Sequence, residues 1–335
     1  MEKKWIIDGF NISYPYDWQR PAKTEEWTWE YLNASHHQSN FIEFVSFPWA
    51  TLIDLIARKQ DIRANALLVD LNKIPPKKKL FRATICQHIN LKEIIHLFKK
   101  IKITDIFWPH KVKGEDFIDG IRVHPYVLYP YAYFEREEIV SGSIVESDYL
   151  VSFIGAYDEG CYLSDIREQI FKFNKMESSL IIRREKWYFE VDVYQCQINN
   201  SSVDSDVISN QKFMLNEYID SLSKTAFVLC PSGAGPNTIR YWEAIAFGRV
   251  PVLLSDSWDP PNINNISDGL NLPEALLENF LNEIQEQEKI KVMSFYKDLI
   301  FHCEKNKEIQ PGEWLRNIFD NFYSNQNLKK LVGRS

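Results

Sequence analysis

Cysteine is scarce, with five residues at 86, 161, 196, 230 and 303, an odd number with no C-x-x-C spacing. Such a set indicates neither a disulfide framework nor a zinc ribbon. No apolar run approaches the ~18 residues of a membrane span. The opening stretch, MEKKWIIDGFNIS, puts an acid among its lysines, and its apolar run is too short for a secretory signal. These absences predict a reduced, cytoplasmic chain. There is no internal repeat and no biased segment beyond Pro75-Pro76-Lys77-Lys78-Lys79. Missing too are G-x-S-x-G, H-E-x-x-H and a P-loop, which removes support from hydrolase, zinc-protease and NTPase readings. No G-x-G-x-x-G follows the first candidate strand, which weighs against an NAD enzyme.

Aromatic residues are plentiful, with 10 Trp, 16 Tyr and 21 Phe, or 14% of 335 residues. Large rings line small-molecule pockets, although they also fill cores. A chain of this length can bury more than one core. The net charge of −7 argues against attraction of the whole surface to nucleic acid. The charge is segregated, however. Between Lys73 and Lys113, eleven Lys and Arg stand against only Glu93 and Asp105. The plain interpretation is a solvated face. The sharper one is a cationic surface at 73–113 for an anionic acceptor or a peripheral contact with an anionic membrane.

Short apolar runs alternate with helical patterns, which predicts β-α-β units and parallel sheets. Candidate strands in the first half are Trp5–Ile7, Phe41–Phe47, Ala66–Leu71, Arg82–Gln87, Ile103–Trp108 and Arg122–Leu128, with helices at Ala50–Arg58 and Leu91–Lys100. After Ser141-Gly142-Ser143 the pattern restarts: strand Tyr149–Ile154, helix Asp165–Phe173, strand Ser179–Ile182, helix Gln211–Ser223. The clearest unit is strand Ala226–Cys230, a turn, helix Pro236–Phe247 and strand Val250–Leu254. From Pro273 the chain reads as helical through Lys305, and again from Gly312 to about Tyr323. Two α/β halves followed by terminal helices suggest two Rossmann-like domains facing a cleft, with ligands outside the carboxyl ends of the strands.

The segment Cys230-Pro231-Ser232-Gly233-Ala234-Gly235-Pro236-Asn237-Thr238-Ile239-Arg240-Tyr241-Trp242-Glu243 runs from a strand through a glycine-bearing turn into a helix. Gly233 and Gly235 permit close approach of the backbone to a ligand, and Pro236 suits the first helical position. Helix N–H groups then favour a phosphate. Arg240 near a diphosphate and Glu243 accepting from ribose hydroxyls would grip a nucleotide. The plainer alternative is that the glycines only make the turn and that Arg240 and Glu243 form an ion pair on the helix surface.

Phe227-Val228-Leu229-Cys230-Pro231-Ser232-Gly233, the Arg240-x-x-Glu243-Ala244 step and Gly248-Arg249-Val250-Pro251-Val252-Leu253-Leu254-Ser255-Asp256 resemble the signature of the exostosin-type glycosyltransferases. Upstream, Phe153-Ile154-Gly155 and Leu163-Ser164-Asp165-Ile166-Arg167 are similar to the F-x-G strand and S-D-x-R helix start of that family. The resemblance covers roughly 150–258, and the segments FPWATLID and ITDIFWPH look more like bacterial members. It implies an α/β chain of GT-B type: an acceptor-side domain over 1–148, a nucleotide-sugar donor domain over 149–295, and C-terminal helices over 296–335 that are candidates to pack back on the first domain. It also implies a hexosyl- or pentosyltransferase acting on a glycan or lipid-linked acceptor in capsule or O-antigen synthesis, cytoplasmic or at the inner face of the membrane. Donor-binding positions would then include Gly155, Arg167, Arg183, Ser232, Gly233, Gly235, Asn237, Arg240 and Glu243. Gly235-Pro236-Asn237 departs from the Asp-Ser pair of many members.

Such a transfer needs a neutralised leaving group, which Arg167, Arg240 and Arg183 or Arg184 could supply without a metal or any other cofactor. The D-x-D of Asp204-Ser205-Asp206 sits in a Ser/Asn-rich run that reads as a loop or helix start. Candidate general bases are His110, His88 and Asp54, with His124 behind them. Trp49, Trp108 and Trp258 fall beside predicted loops, where they would stack on a sugar or base. Trp242 suits packing of the donor helix. The competing readings are a non-catalytic nucleotide-sugar-binding scaffold and a GT-B-like sugar-nucleotide epimerase.

Overall fold

A computed structural model of the chain describes residues 3–34, 39–136, 144–173, 177–185, 191–261, 269–287 and 289–306. Two compact units emerge. Of the described residues, the first holds those up to 127 together with 197–199, and the second holds those from 128 to 196 and from 200 to 306. The expected helix after Gly312 lies outside the described residues.

The first unit carries strands β1 (Ile6–Asp8), β2 (Asn11–Ser13), β3 (Ile42–Ser46), β4 (Phe81–Ile85), β5 (Asp105–Trp108), β6 (Phe117–Ile118) and β7 (Ile121–Pro125). They form one sheet in the order β1-β2-β3-β4-β5-β7-β6, parallel from β2 to β7 with an antiparallel strand at each edge. Helices α1 (Thr24–Ala34), α2 (Trp49–Ala57), α3 (Asp61–Leu71) and α4 (Ile95–Lys100) connect the strands. Ala66–Leu71, predicted as a strand, is the second half of α3. Ala64, Leu67 and Leu71 are buried at helical spacing while Val69 is 55% exposed, and that period wins over a short apolar run.

In the second unit, α5 (Tyr131–Glu135) precedes β8 (Tyr149–Ala156), α6 (Ile166–Lys172), β9 (Ser179–Arg184) and α7 (Ser205–Ser223). There follow β10 (Thr225–Pro231), α8 (Ile239–Ala246), β11 (Val250–Leu254), β12 (Leu270–Asn271), and helices α9 (Leu277–Glu286), α10 (Lys289–Phe295) and α11 (Lys297–Asn306). The sheet order is β12-β11-β10-β8-β9, parallel throughout. Every residue of β10 and β11 is buried, as expected for strands covered on both faces. Both units are mixed α/β with parallel sheets, compatible with a Rossmann-like fold.

The return from α8 to β11 is set by Gly248. Its φ is 67°, its N–H donates to Ile245, and the N–H of Arg249 reaches back to Ala244. That paired closure is a Schellman turn, which wants glycine. The start of α8 differs from expectation. Pro236 stays in the turn, where its carbonyl accepts from Ser255 Oγ at 2.7 Å, and the helix begins three residues later, after the extended Thr238.

Candidate functional site

The second unit builds its site at the carboxyl end of β8. Pairing of β8 with β10 stops at Ser152, while pairing with β9 continues to Ala156. The last carbonyls of β8 therefore need other donors, and two arginines supply them. Arg240, from the first turn of α8, donates through Nη2 to the carbonyl of Ile154. Arg167, from α6, donates through Nη1 to Ala156 at 3.0 Å and through Nε to the carbonyl of Ser232 at 2.8 Å. Gly155 lies between these carbonyls, and a Cβ there would sit 3.4 Å from Arg167 Nη1, 3.4 Å from Arg240 Nη2 and 2.9 Å from the Phe153 ring. Glycine at this position is what lets two guanidinium groups converge.

Both arginines are 8% exposed, and among the described residues neither forms an ion pair with a carboxylate. They rest instead on rings. Arg167 lies 4.3 Å from the Tyr162 centroid, and Arg240 lies 4.5 Å from Phe153 and 5.6 Å from Tyr218. Burial, and then the charge of Arg240, pulls the Arg167 guanidinium down to a pKa of about 10. The buried Nε of Arg240 has no hydrogen-bond partner among the described residues. Two buried cations without counter-charge cost desolvation that an anion would offset. The pocket they line is completed by Gly155, Tyr162, Arg184, Tyr218, Thr238 and Ile239, so the first residues of α8 also face it.

Glu243 is not open to this pocket. It is fully buried, with one oxygen accepting from the Ala132 N–H at 2.9 Å and the other from the Tyr218 hydroxyl at 2.6 Å. Burial raises its carboxyl above the ordinary range. Neither the surface ion pair nor an open ribose acceptor describes it, because its oxygens face Ala132 and Tyr218.

Ser232 and Gly233 join Arg167 at the turn. A Cβ on Gly233 would lie 3.5 Å from Arg167 Nη2, and the Gly233 N–H closes the turn on the carbonyl of Gly235 at 2.9 Å. Asn237 is buried and accepts from Trp242 Nε1 at 3.3 Å. Arg183 is turned away toward Glu168, at 2.8 Å, whereas its neighbour Arg184 lines the pocket and pairs with Glu217 at 2.5 Å. Tyr162 and Tyr218 were not singled out in the sequence. Tyr218 could have been found as a buried-face position of α7, and Tyr162 as a ring in the loop after β8.

In the first unit, three candidate bases gather around the ends of β4 and β5. His88 Nε2 lies 3.3 Å from Asp54 Oδ1, and its Nδ1 accepts from the Asn90 N–H at 3.0 Å. The ring is therefore held at both nitrogens, with Nε2–H directed at Asp54. Asp54 Oδ2 accepts from Gln19. His110 is 6% exposed and its Nδ1 has no hydrogen-bond partner among the described residues, and burial, then the His88 charge, lowers its pKa to about 3. His124 stands apart, paired with Asp105 at 2.9 Å. Glu25 was not foreseen. Fully buried, it accepts from the N–H groups of Ala50 and Gln87, and burial raises its pKa to about 8.

The three rings proposed to stack on ligand are enclosed. Trp49 donates to Thr84 at 2.8 Å and packs on Phe98, Trp108 donates to the carbonyl of His88 at 2.9 Å, and Trp258 packs on Tyr241. Their exposures of 0%, 3% and 0% leave no open ring face, so all three pack the interior. Five of the eleven basic residues of the 73–113 block are paired: Lys73, Arg82, Lys92, Lys99 and Lys111 with Asp70, Glu43, Glu115, Asp119 and Asp116. Asp204 caps α7 by accepting from the Asp206 N–H. No described helix is long and apolar enough to cross a membrane.

A parallel sheet whose carboxyl end gathers two buried arginines, unpaired with any described carboxylate, beside a glycine turn and a helix start is an arrangement suited to an anion. The family model described as the RXYLT1 C-terminal domain matches residues 192–280, which span α7 to α9. The Exostosin-1 homolog of Caenorhabditis elegans is 27% identical over 177 residues, 47% of this chain and 43% of that protein. The match thus spans less than half the length of the curated relative. Together they support an exostosin-like family.

Proposed function

We propose that the protein is a GT-B glycosyltransferase that transfers a sugar from a nucleotide diphosphate donor held by the second unit to a glycan or lipid-linked acceptor held by the first. The observation that carries this reading is the Arg167–Arg240 pair, buried around Gly155 with no carboxylate partner among the described residues. A diphosphate supplies the missing negative charge. As the glycosidic bond to the donor breaks, the charge that grows on the departing diphosphate falls beside two preorganised cations, which lowers the barrier. On this reading the arginines and the start of α8 perform the neutralisation that other transferases give to a divalent ion. Glu243 and Tyr218 act beneath them, bracing α8 against α7 so that Arg240 keeps its place.

In the first unit, a base must take the proton of the attacking hydroxyl if the reaction inverts. Asp54 and His88 form one hydrogen-bonded pair, Asp54 also held by Gln19 and His88 by the Asn90 N–H, and this pair is the base we assign. Capsule or O-antigen assembly is the corresponding biological setting.

Turnover separates this reading from a nucleotide-sugar-binding scaffold. Incubation with a panel of UDP-, GDP- and CMP-sugars and simple glycoside acceptors should release nucleotide in wild type and not in Arg240→Ala. Binding without release from any donor would favour the scaffold.

A further inference from the structure

The amino end of the first unit's sheet gathers cations that the candidate site does not use. Because β3, β4 and β5 are parallel neighbours, the segments that enter them meet along one edge. The linker from α3 brings Pro75-Pro76-Lys77-Lys78-Lys79-Leu80 into β4. Helix α4 ends on Lys100, Lys102 follows before β5, and Phe41 precedes β3. One buried ion pair pins these segments together. Arg82 Nε donates to Glu43 Oε1 at 2.5 Å, with both side chains buried. The same guanidinium donates to the carbonyls of Pro75 and Ile101, each at 2.9 Å, while Glu43 Oε2 accepts from the Lys78 N–H at 3.2 Å. The Phe81 N–H donates to the Phe41 carbonyl at 2.9 Å. The lysine-bearing turns are therefore fixed beside one another.

Lys78, Lys100 and Lys102 are exposed, Lys77 is half-buried, and none of the four forms an ion pair among the described residues. Burial first, and then the charges of Arg82 and Lys102 against the pull of Glu43, hold the Lys77 ammonium below the usual lysine range. Exposed acids at this end are partnered, Asp70 with Lys73 and Asp119 with Lys99. Asp8 lies farther along the edge, in the β1–β2 turn. Lys79 donates to the carbonyl of Ser39. Among the cations, Phe41 and Leu80 stand on adjacent strands, 45% and 55% exposed.

Apolar side chains set among unpaired lysines suit an anionic lipid surface. The apolar pair enters the headgroup boundary, and the lysine stems follow it while their ammonium groups meet phosphates. A soluble polyanion would answer the charges and leave Phe41 and Leu80 in water. The four cations are also all lysines, whereas forked recognition of individual phosphates favours arginine. We propose that this edge, formed by Phe41, Leu80, Lys77, Lys78, Lys100 and Lys102, docks the protein peripherally on an anionic bilayer. The chain as a whole carries −7, so the attraction is local to the edge. His88 and Asp54 lie beyond the opposite, carboxyl ends of β4 and β3, so docking leaves the candidate base uncovered. The proposal stands apart from the transferase reading, since it uses none of the residues of that site.

Co-sedimentation of the full chain with vesicles tests it. Wild type should bind phosphatidylcholine vesicles carrying about one-third phosphatidylglycerol at least tenfold more tightly than pure phosphatidylcholine at ~0.1 M salt, and lose that preference as salt rises. Each lysine near such a surface is worth about fivefold, so Lys100→Ala with Lys102→Ala should weaken binding at least tenfold. Leu80→Ser should weaken it at least threefold. Lys172→Ala with Lys212→Ala changes the net charge equally in the second unit and should bind as wild type does. All five substituted side chains are exposed, and circular dichroism checks that each variant is folded. Failure of wild type to prefer anionic vesicles, wild-type affinity in the Lys100 and Lys102 variant, or an equal loss in the second-unit control would overturn the proposal. Unchanged vesicle binding in Leu80→Ser would overturn it too, because the edge would then be a charge-only site, as for a nucleic acid.

Discussion

Arg167 and Arg240 each bring a terminal guanidinium nitrogen to 3.4 Å from a single point, the position a Cβ would occupy on Gly155. Like charges converge in this way only where the fold holds them, and here the holding groups are the carbonyls of Ile154, Ala156 and Ser232. The arrangement is therefore preorganised, with its hydrogen bonds made before any ligand arrives.

Gly155→Ala should damage binding and stability together. The added methyl meets the Phe153 ring at 2.9 Å and both guanidinium groups at 3.4 Å. Overpacking of this kind costs ~1–3 kcal/mol. Urea denaturation should show that loss, and titration with UDP should show weakened affinity. Unchanged values in both would mean that the arginines can move aside freely.

Arg240→Lys should fail to rescue what Arg240→Ala loses. A lysine ammonium cannot both hold the Ile154 carbonyl and present a planar fork to phosphate. Each variant should weaken nucleotide binding by ~2 kcal/mol or more. Wild-type affinity in the lysine variant would show that only charge matters at this position.

Tyr218→Phe removes the hydroxyl that donates to Glu243 at 2.6 Å. A buried carboxylate left short of a partner should cost ~1–3 kcal/mol in denaturant unfolding. In the Glu243→Gln background the same change should cost less, because no buried charge remains to be stranded. Equal costs in the two backgrounds would remove the coupling.

The first unit should lose stability between pH 6.5 and about 8. Burial lifts Glu25 from 4.5 to about 8, so over that interval the folded state holds a proton that the unfolded chain has released. Stability from this source is complete below the unfolded value and falls as pH rises through the folded one. His110, lowered from 6.5 to about 3, acts oppositely but only below 6.5, where the unfolded state binds the extra proton. Glu25→Gln should flatten the alkaline fall, whose slope per group is at most ~1.4 kcal/mol per pH unit. A slope that persists in Glu25→Gln would assign it to other groups.

The part of the molecule most legible in the sequence was the β10-α8-β11 unit. Its strands are continuous apolar runs, and Gly248 ends the helix within a few residues, so local chemistry decides it. Arg240 and Arg167 were legible through motif spacing, but their meeting at Gly155 depends on where β10 stops pairing with β8, and no local pattern encodes that. Tyr162 and Tyr218 reach the pocket from a loop and a distant helix for the same reason. Trp49, Trp108 and Trp258 were misplaced because a ring beside a predicted loop can turn inward, and here Thr84, the His88 carbonyl and Tyr241 draw them in.

Calorimetric titration of wild type, Arg167→Ala and Arg240→Ala with UDP, GDP, ADP and CDP tests the central claim most directly. The account requires at least one nucleoside diphosphate to bind wild type and to lose most of its affinity in both variants. Wild-type affinity retained in both, or no binding of any nucleotide to a folded wild type, would contradict it.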